Sequence, residues 1–288
     1  MRILVFGKSG QLSSELALLS REDLETQIIH IDKGKANLEY PEQCSEVIYL
    51  KKPDVIINAA AYTNVEKAEQ EEDIANKVNG ESPKAMAQAA ETIDSPLIHL
   101  STDYVFDGVH NKPQLVNSKT NPLNAYGRSK LLGEEAIRNS NCIYVILRTS
   151  WVFSVHGRNF VKSILKAAEN SQEIEVVNDQ IGGPTSARQL AKACINIAHK
   201  LVKDYSLKGT YHYSGTPDIS WSNFARSILE NNDKIEVKEI KTSEYNSKVK
   251  RPLNSRLDCS VLERNFGIKR PLWNDDLKIV LSELENKK

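Results

Sequence analysis

The sequence predicts an α/β fold, with a doubly wound parallel sheet followed by a smaller mixed C-terminal lobe. Three observations carry that expectation. Short apolar, β-branched runs alternate with longer helical patterns through the first two-thirds of the chain. The runs are apolar on both faces, as strands covered by helices on both sides must be. The first run also ends in a glycine-rich turn that opens a helix, Phe6-Gly-Lys-Ser-Gly-Gln-Leu-Ser13.

In chain order the strand-like runs are 3–6, 27–31, 54–58, 96–101, 143–148 and 174–177. The clearest helical patterns between them are 73–91, 126–138 and 187–201. The last third differs: turn-rich pieces at 213–218 and 251–255 punctuate shorter helices at 221–229 and 273–284. Residues 1–150 and 174–213 are therefore expected to form a dinucleotide-binding domain, and 151–173 with 214–288 a substrate lobe. No Gly/Ser-rich linker separates them, so the lobes should pack closely.

Composition narrows the function. Lysine plus arginine and aspartate plus glutamate both total 38. The chain thus has no net field to gather nucleic acid or an anionic membrane. Cys44, Cys142, Cys194 and Cys259 are scattered, with no Cys-x-x-Cys pair, and read as reduced thiols in a cytoplasmic protein. The six histidines lack metal-ligand spacing, so no intrinsic metal site is expected. Ile3-Leu-Val-Phe6 is too short for a signal segment, and no apolar stretch reaches membrane-spanning length. The expected partner is a small molecule.

The glycine-rich turn points to a dinucleotide. Gly7 permits the tight turn, and Gly10 lets backbone approach a pyrophosphate at the helix N-terminus. Ser13 stands where a third glycine would allow close helix–strand packing. Asp32 ends the second run, where an acidic side chain accepts from ribose hydroxyls, while Lys33 and Lys35 suit a 2′-phosphate. NADPH and NADH both stay open. Small residues after the third run, in Asn58-Ala-Ala-Ala-Tyr-Thr63, leave room for the dinucleotide. The candidate cofactor set is Gly7, Gly10, Gln11, Leu12, Asp32, Lys33, Asn37, Leu38, Ala60, Ala61, Tyr62 and Thr63, with Tyr126 and Lys130.

Tyr126 and Lys130, in Asn124-Ala-Tyr-Gly-Arg-Ser-Lys130, lie one turn apart on one helix face. A phenol has a reference pKa of about 10. A neighbouring ammonium is expected to lower it toward the working range and make Tyr126 an acid–base group. Thr102, in Ser101-Thr-Asp-Tyr-Val-Phe106, either caps its strand end or donates to a carbonyl being reduced. Trp151, in Arg148-Thr-Ser-Trp-Val152, is a lobe-packing residue or an aromatic platform. Asp179 and Gln180 hold substrate hydroxyls or cap a turn.

Together these runs, with Asn178-Asp-Gln180 and Arg251-Pro-Leu-Asn-Ser-Arg256, resemble the extended short-chain dehydrogenase/reductases. Within that group they are most similar to the dTDP-4-dehydrorhamnose reductases, from Arg2 to about Trp273. Tyr-x-x-x-Lys marks only the superfamily; the other runs, in this order, are more specific. The resemblance implies a Rossmann sheet and reduction of the 4-keto group of dTDP-4-dehydro-β-L-rhamnose by NADPH or NADH. The product, dTDP-L-rhamnose, feeds bacterial surface polysaccharides such as O-antigen. It also implies that Tyr126 donates the proton, that Lys130 tunes it and holds the nicotinamide ribose, and that Thr102 polarises the carbonyl. Asp103, Trp151, Gln180, Arg251, Asn254, Ser255 and Arg256 fall at substrate-contacting positions. Two alternatives remain: another nucleotide-sugar ketoreductase or epimerase, and a non-catalytic dinucleotide-binding regulatory subunit.

The resemblance also raises magnesium, since some relatives pair subunits through an ion held by acidic side chains. Glu15 matches one such position, but Arg188 stands where the second carboxylate belongs. An arginine both removes an oxygen ligand and repels the cation. The expectation is a monomer or a homodimer without a metal bridge, with an Arg188–Glu15 contact in its place.

Overall fold

A computed structural model describes residues 1–20 and 26–286. Its centre is a six-stranded parallel sheet containing β1 (Arg2–Phe6), β2 (Gln27–Ile31), β3 (Val55–Asn58), β4 (Leu97–Thr102) and β5 (Tyr144–Thr149). The sixth strand is Gly209–His212, and the order runs Gly209–His212, β5, β4, β3, β1, β2. Alternate side chains of a strand point to opposite faces. Ile3, Val5, Val55, Ile57, Ile98, Val145 and Leu147 pack under Leu12, Leu16 and the helix Ala187–Leu201. Leu4, Phe6, Ile56, Leu97 and Ile146 pack on the other side, against Cys44, Ile48, Met86, Ala90 and Ile137. Both faces of the central strands are covered, so β1 and β3 carry no polar alternation, while β4 buries His99 and Ser101 on one face.

The run at 174–177 does not join this sheet, contrary to expectation. Glu173–Val177 pairs in parallel with Glu236–Ile240 in a separate two-stranded sheet. Its Glu-Ile-Glu-Val alternation fits a strand covered on one face only. The true sixth strand, Gly-Thr-Tyr-His, is too polar to stand out, yet Tyr211 and His212 are buried against β5. The chain thus re-enters the large layer at the helix Ala187–Leu201, later than residue 174.

The helix expected at 73–91 is interrupted. It runs as Glu72–Asn76, a π turn at Lys77–Glu81, then Ser82–Thr92 with Pro83 in its first turn. The widened turn brings Asn79 against the helix Ala125–Arg138, close enough that a Cβ on Gly133 would stand 2.1 Å from the Asn79 carbonyl. Asn79 then joins three segments: it donates to Ser129 Oγ (2.9 Å) and the Tyr62 carbonyl (3.0 Å) and accepts from the Tyr62 amide (2.8 Å).

The smaller lobe has its own apolar centre, including Phe153, Val161, Ile164, Phe224, Ile228, Trp273 and Leu277. Its short strands Ile219–Ser220, Ile181–Gly182 and Asn254–Ser255 form a three-stranded sheet. Among the described residues no helix is long and apolar enough to cross a membrane.

Candidate active site

The strand order reverses at β1, which has β2 on one side and β3 on the other. The carboxyl ends of β1 and β3 therefore diverge and leave a crevice, the usual ligand position in an open α/β sheet. A cavity of about 920 Å³ opens at the opposite edge, lined by Met1, Lys52, Asp94 and His199 among others. None of the candidate residues lies there.

Gly7 follows β1 with φ +115°, a conformation that disfavours side chains, and its Cβ would meet Ser13 Oγ at 2.6 Å. Ser13 is buried with no partner for its hydroxyl, so it serves as the small packing residue the sequence suggested. Gly10 caps the helix Gln11–Leu19 in extended backbone without a side-chain cap, and nothing lies within 4 Å of where its Cβ would be. An uncapped, uncrowded helix N-terminus is a fit for a pyrophosphate. Gln11 ties the turn to the other lobe, donating to the Val152 carbonyl (3.3 Å) and accepting from Asn159 (2.9 Å).

Asp32 accepts from the Lys35 amide (3.2 Å) and faces Lys8 Nζ at 3.4 Å. Partial desolvation raises its pKa, but Lys8 and Lys35 outweigh that and hold it below the usual range. Lys33 is engaged with Glu39 (2.8 Å), so Lys8, which the sequence reading passed over, is the cation beside Asp32. Asn37 and Leu38 shape the next turn through Glu39 and Ser82 respectively (3.1 and 2.6 Å). Beyond β3, the Ala60 amide donates to Asn58 (3.2 Å) and Tyr62 donates to Glu71 (2.7 Å). Ala61 is partly buried and Thr63 exposed.

The reactive hydroxyls meet at the end of β4. Thr102 donates to Asp103 Oδ1 (3.1 Å), accepts from the Tyr104 amide (3.2 Å) and shares a hydrogen bond with the Tyr126 phenol. Asn124 positions the phenol by capping its helix, accepting from the Gly127 amide at 2.8 Å. Gly127 is required beneath, because a Cβ there would stand 2.3 Å from the Tyr104 carbonyl. Tyr104 packs edge-on against Tyr126, with ring centroids 5.5 Å apart. Tyr126 sits deep in the fold yet keeps part of its surface accessible.

One expectation is corrected. Among the described residues, Lys130 Nζ hydrogen-bonds the Leu100 carbonyl (2.6 Å) and His99 Nε2 (3.2 Å), not Tyr126. Burial pushes the phenol up to about 12, and the group that lowers it is Thr102. Burial likewise brings Lys130 down to about 8, with Glu134 opposing. Asp103 is driven up to about 6 by burial, against the hydroxyls of Ser255 and Thr102.

Behind these groups lies a buried ion network that the sequence reading missed. Glu134, one turn past Lys130 and fully buried, takes a two-pronged contact from Arg148 (2.9 and 2.7 Å). It also accepts from Arg138 (2.9 Å) and Ser101 (2.5 Å). Burial raises its pKa, and Arg148, Ser101 and Arg138 together hold it below the usual range. Arg148 reaches on to the Val116 carbonyl (3.2 Å) and His212, whose ring burial keeps neutral at a pKa of about 3. The available signal was spacing: Glu134 continues the Tyr126–Lys130 face by four residues, and His99 shares a strand face with Ser101.

The expected substrate residues converge on the same edge, with differing commitments. Trp151 has φ +50° and stacks on Trp221 at 3.5 Å, beside Gly182. Such a conformation in a bulky residue is strained and marks functional sites. Gln180 and Asp179 both hold Thr242 (3.1 and 2.6 Å). Arg251 joins Glu66 (3.0 Å) and Ser247 (2.7 Å) and hydrogen-bonds Tyr104. Asn254 is committed to the carbonyls of His110 and Lys112, and Arg256 to Asn254 (2.8 Å) and the Asn111 carbonyl, so this pair holds the 110–112 loop. Ser255 is buried beside Asp103. Within the chain Arg188 meets Glu15 at 3.4 Å and Glu283 at 2.8 Å.

A family model described as the RmlD substrate binding domain matches residues 1–286. A dTDP-4-dehydrorhamnose reductase from Sinorhizobium fredii is 41% identical, covering 96% of this chain and 96% of that one. The chain belongs to the dTDP-4-dehydrorhamnose reductase family. Solved structures of dTDP-4-dehydrorhamnose reductases have the same fold. The one from Clostridium acetobutylicum superposes with a TM-score of 0.91 at 33% identity, covering 99% of this chain and 100% of that one. The Bacillus anthracis reductase, in complex with NADP, gives 0.88 at 34% identity over 98% and 99%. The N-terminal cradle and the Thr102–Tyr126–Lys130 group thus sit in a reductase frame.

Proposed function

We propose that the chain reduces the 4-keto group of dTDP-4-dehydro-β-L-rhamnose to dTDP-L-rhamnose with NADPH or NADH, supplying surface polysaccharide such as O-antigen. The observation that carries this reading is the meeting of the Thr102 and Tyr126 hydroxyls at the sheet edge that also carries the open helix N-terminus at Gly10. When bound, the reduced nicotinamide supplies the hydride. Gly7, Gly10, Gln11 and Leu12 hold the pyrophosphate, Asp32 and Lys8 the adenosine end, and Ala60 to Thr63 the path between.

Negative charge grows on the C4 oxygen as hydride arrives. Tyr126 donates to that oxygen, joined by Thr102 once its single O–H turns from Asp103, and such positioned donors stabilise the charge. Tyr126 keeps its proton until then, since burial holds the phenol neutral well above physiological pH. It then releases that proton to the oxygen, acting as general acid. Trp151, Gln180, Arg251 and Ser255 position the nucleotide sugar, while Asn254 and Arg256 act through the loop they hold. Residues 1–150 with 187–213 form the dinucleotide lobe, and 151–186 with 214–286 the sugar-nucleotide lobe. The four buried free thiols suit a reducing cytoplasm. Subunit pairing, where it occurs, needs no magnesium.

The test is NADPH and NADH oxidation with freshly made dTDP-4-dehydro-L-rhamnose, the product identified by mass and NMR. One dTDP-L-rhamnose per cofactor oxidised supports the reading. An epimeric product would assign another sugar-nucleotide enzyme, and cofactor binding without oxidation would indicate a regulatory subunit.

A further inference from the structure

Lys130 is buried beside a pair, Asn58 and His99, whose hydrogen bonds admit one arrangement. The Ala60 amide donates to Asn58 Oδ1 at 3.2 Å, which fixes the orientation of the Asn58 side chain. Its amino group must then face His99 Nδ1, at 3.1 Å. An amide NH₂ can only donate, so Nδ1 carries the lone pair. A neutral ring accordingly has its proton on Nε2, and Nε2 stands 3.2 Å from Lys130 Nζ. A ring protonated on both nitrogens would set two donors against each other at Asn58. The site also has no exposed surface at His99 to solvate that charge.

We infer that Asn58 and His99 position Lys130 to give up its proton, the His99 Nε2–H donating to the neutral Lys130 amine. The inference rests on the reduction proposed above. Once the ammonium loses its proton, the lone pair on Nζ accepts from His99 Nε2–H, so the arrangement favours the neutral amine.

The other groups around Lys130 leave this role to His99. On its own helix, Tyr126 lies one turn before it and Glu134 one turn after. The Glu134 carboxylate is taken up by Arg148 from β5, by Arg138 and by Ser101. From β4 the Leu100 carbonyl accepts from Nζ, which either the amine or the ammonium can satisfy. From β3 only neutral Asn58 acts, through the ring. The lowered Lys130 pKa agrees with this arrangement.

Two measurements on the full chain decide it. Long-range ¹H–¹⁵N spectra of histidine-labelled protein report the tautomer, and labelled lysine reports the titration of Lys130. We expect His99 to hold its proton on Nε2 from mildly acidic to mildly alkaline pH. In His99→Leu the proton affinity of Lys130 should rise roughly tenfold, moving the alkaline limb of the kcat profile up with it. His99→Gln, which keeps an N–H within reach, should stay close to the parent. A proton on Nδ1, or a His99→Leu variant whose Lys130 titrates unchanged, overturns the inference. If His99→Leu does not fold, the tautomer in the parent chain still decides. Neither spectrum uses the sugar nucleotide, so they stand apart from failure of the proposed substrate.

Discussion

Between β1 and β3 the carboxyl edge of the sheet presents backbone: a left-handed glycine, an open helix N-terminus and a run of alanines. Between β4 and β5 it presents buried charge, with Glu134, Arg148, Lys130 and Asp103 all nearly sealed from water. The first region binds by shape and amide groups, and its residues fall in short local runs, 7–13 after β1 and 58–63 after β3. The second works by hydrogen-bonded ionisable groups whose partners are distant in sequence, such as Asn58 with His99 and Ser101 with Glu134. A binding cradle can therefore be read locally, whereas a proton-transfer centre depends on the assembled fold.

That contrast can be broken first through stability. Arg148→Met leaves the Glu134 carboxylate in the interior without its main partner. Removing one member of a buried pair typically costs about 3–5 kcal/mol. Denaturant unfolding should show a loss of that order, with much of it recovered in the Glu134→Leu/Arg148→Met double variant. The lowered Glu134 pKa gives the pH signature: its contribution is present above the unfolded carboxylate range and is lost as pH falls through the folded value. A loss below about 1 kcal/mol would place the network among weak surface pairs.

Asp103 has the opposite sign. Its folded pKa is raised to about 6, so its stabilising contribution is complete below the unfolded value and disappears as pH rises through 6. Asp103→Asn should therefore stabilise the protein at neutral pH, by about 3 kcal/mol, and have little effect in acid. Melting curves of both proteins across that window check the sign. Equal differences at both pH values would show that Asp103 is not the titrating group.

The cradle is probed more gently. Asp32→Ala removes the carboxylate that repels a 2′-phosphate and releases Lys8 from it. The NADPH/NADH ratio of kcat/KM should rise severalfold, and an unchanged ratio would put Asp32 outside the adenosine pocket. The smallest change is expected at Arg188. Its partly exposed contact with Glu15 contributes only about 0–1 kcal/mol, so EDTA should leave the oligomeric state seen by sedimentation unchanged. A dimer that dissociates on chelation would restore the metal bridge.

The same division explains what the sequence made legible. Gly7, Gly10 and the Tyr126–Lys130 spacing could be read from the chain because each encodes local geometry. The sheet was legible through runs buried on both faces, but 174–177 was misassigned because a half-covered strand can carry as many apolar residues as a central one. Gly209–His212 escaped because β5 and the overlying core, not its own composition, bury it. The spacing puts Lys130 one turn from Tyr126 on the same helix, yet its partners, Leu100 and His99, come from β4. The strained backbone of Trp151 has no sequence signal at all.

Single-turnover hydride transfer in Tyr126→Phe, measured beside cofactor affinity, tests most directly whether the buried phenol is the proton donor. Removing a positioned acid should slow the step roughly 10²–10⁴-fold, while NADPH binds as tightly as in the parent because the backbone cradle is untouched. A phenylalanine variant with near-normal rate would mean the proton comes from another group, and Thr102, Tyr126 and Lys130 would lose the roles assigned here.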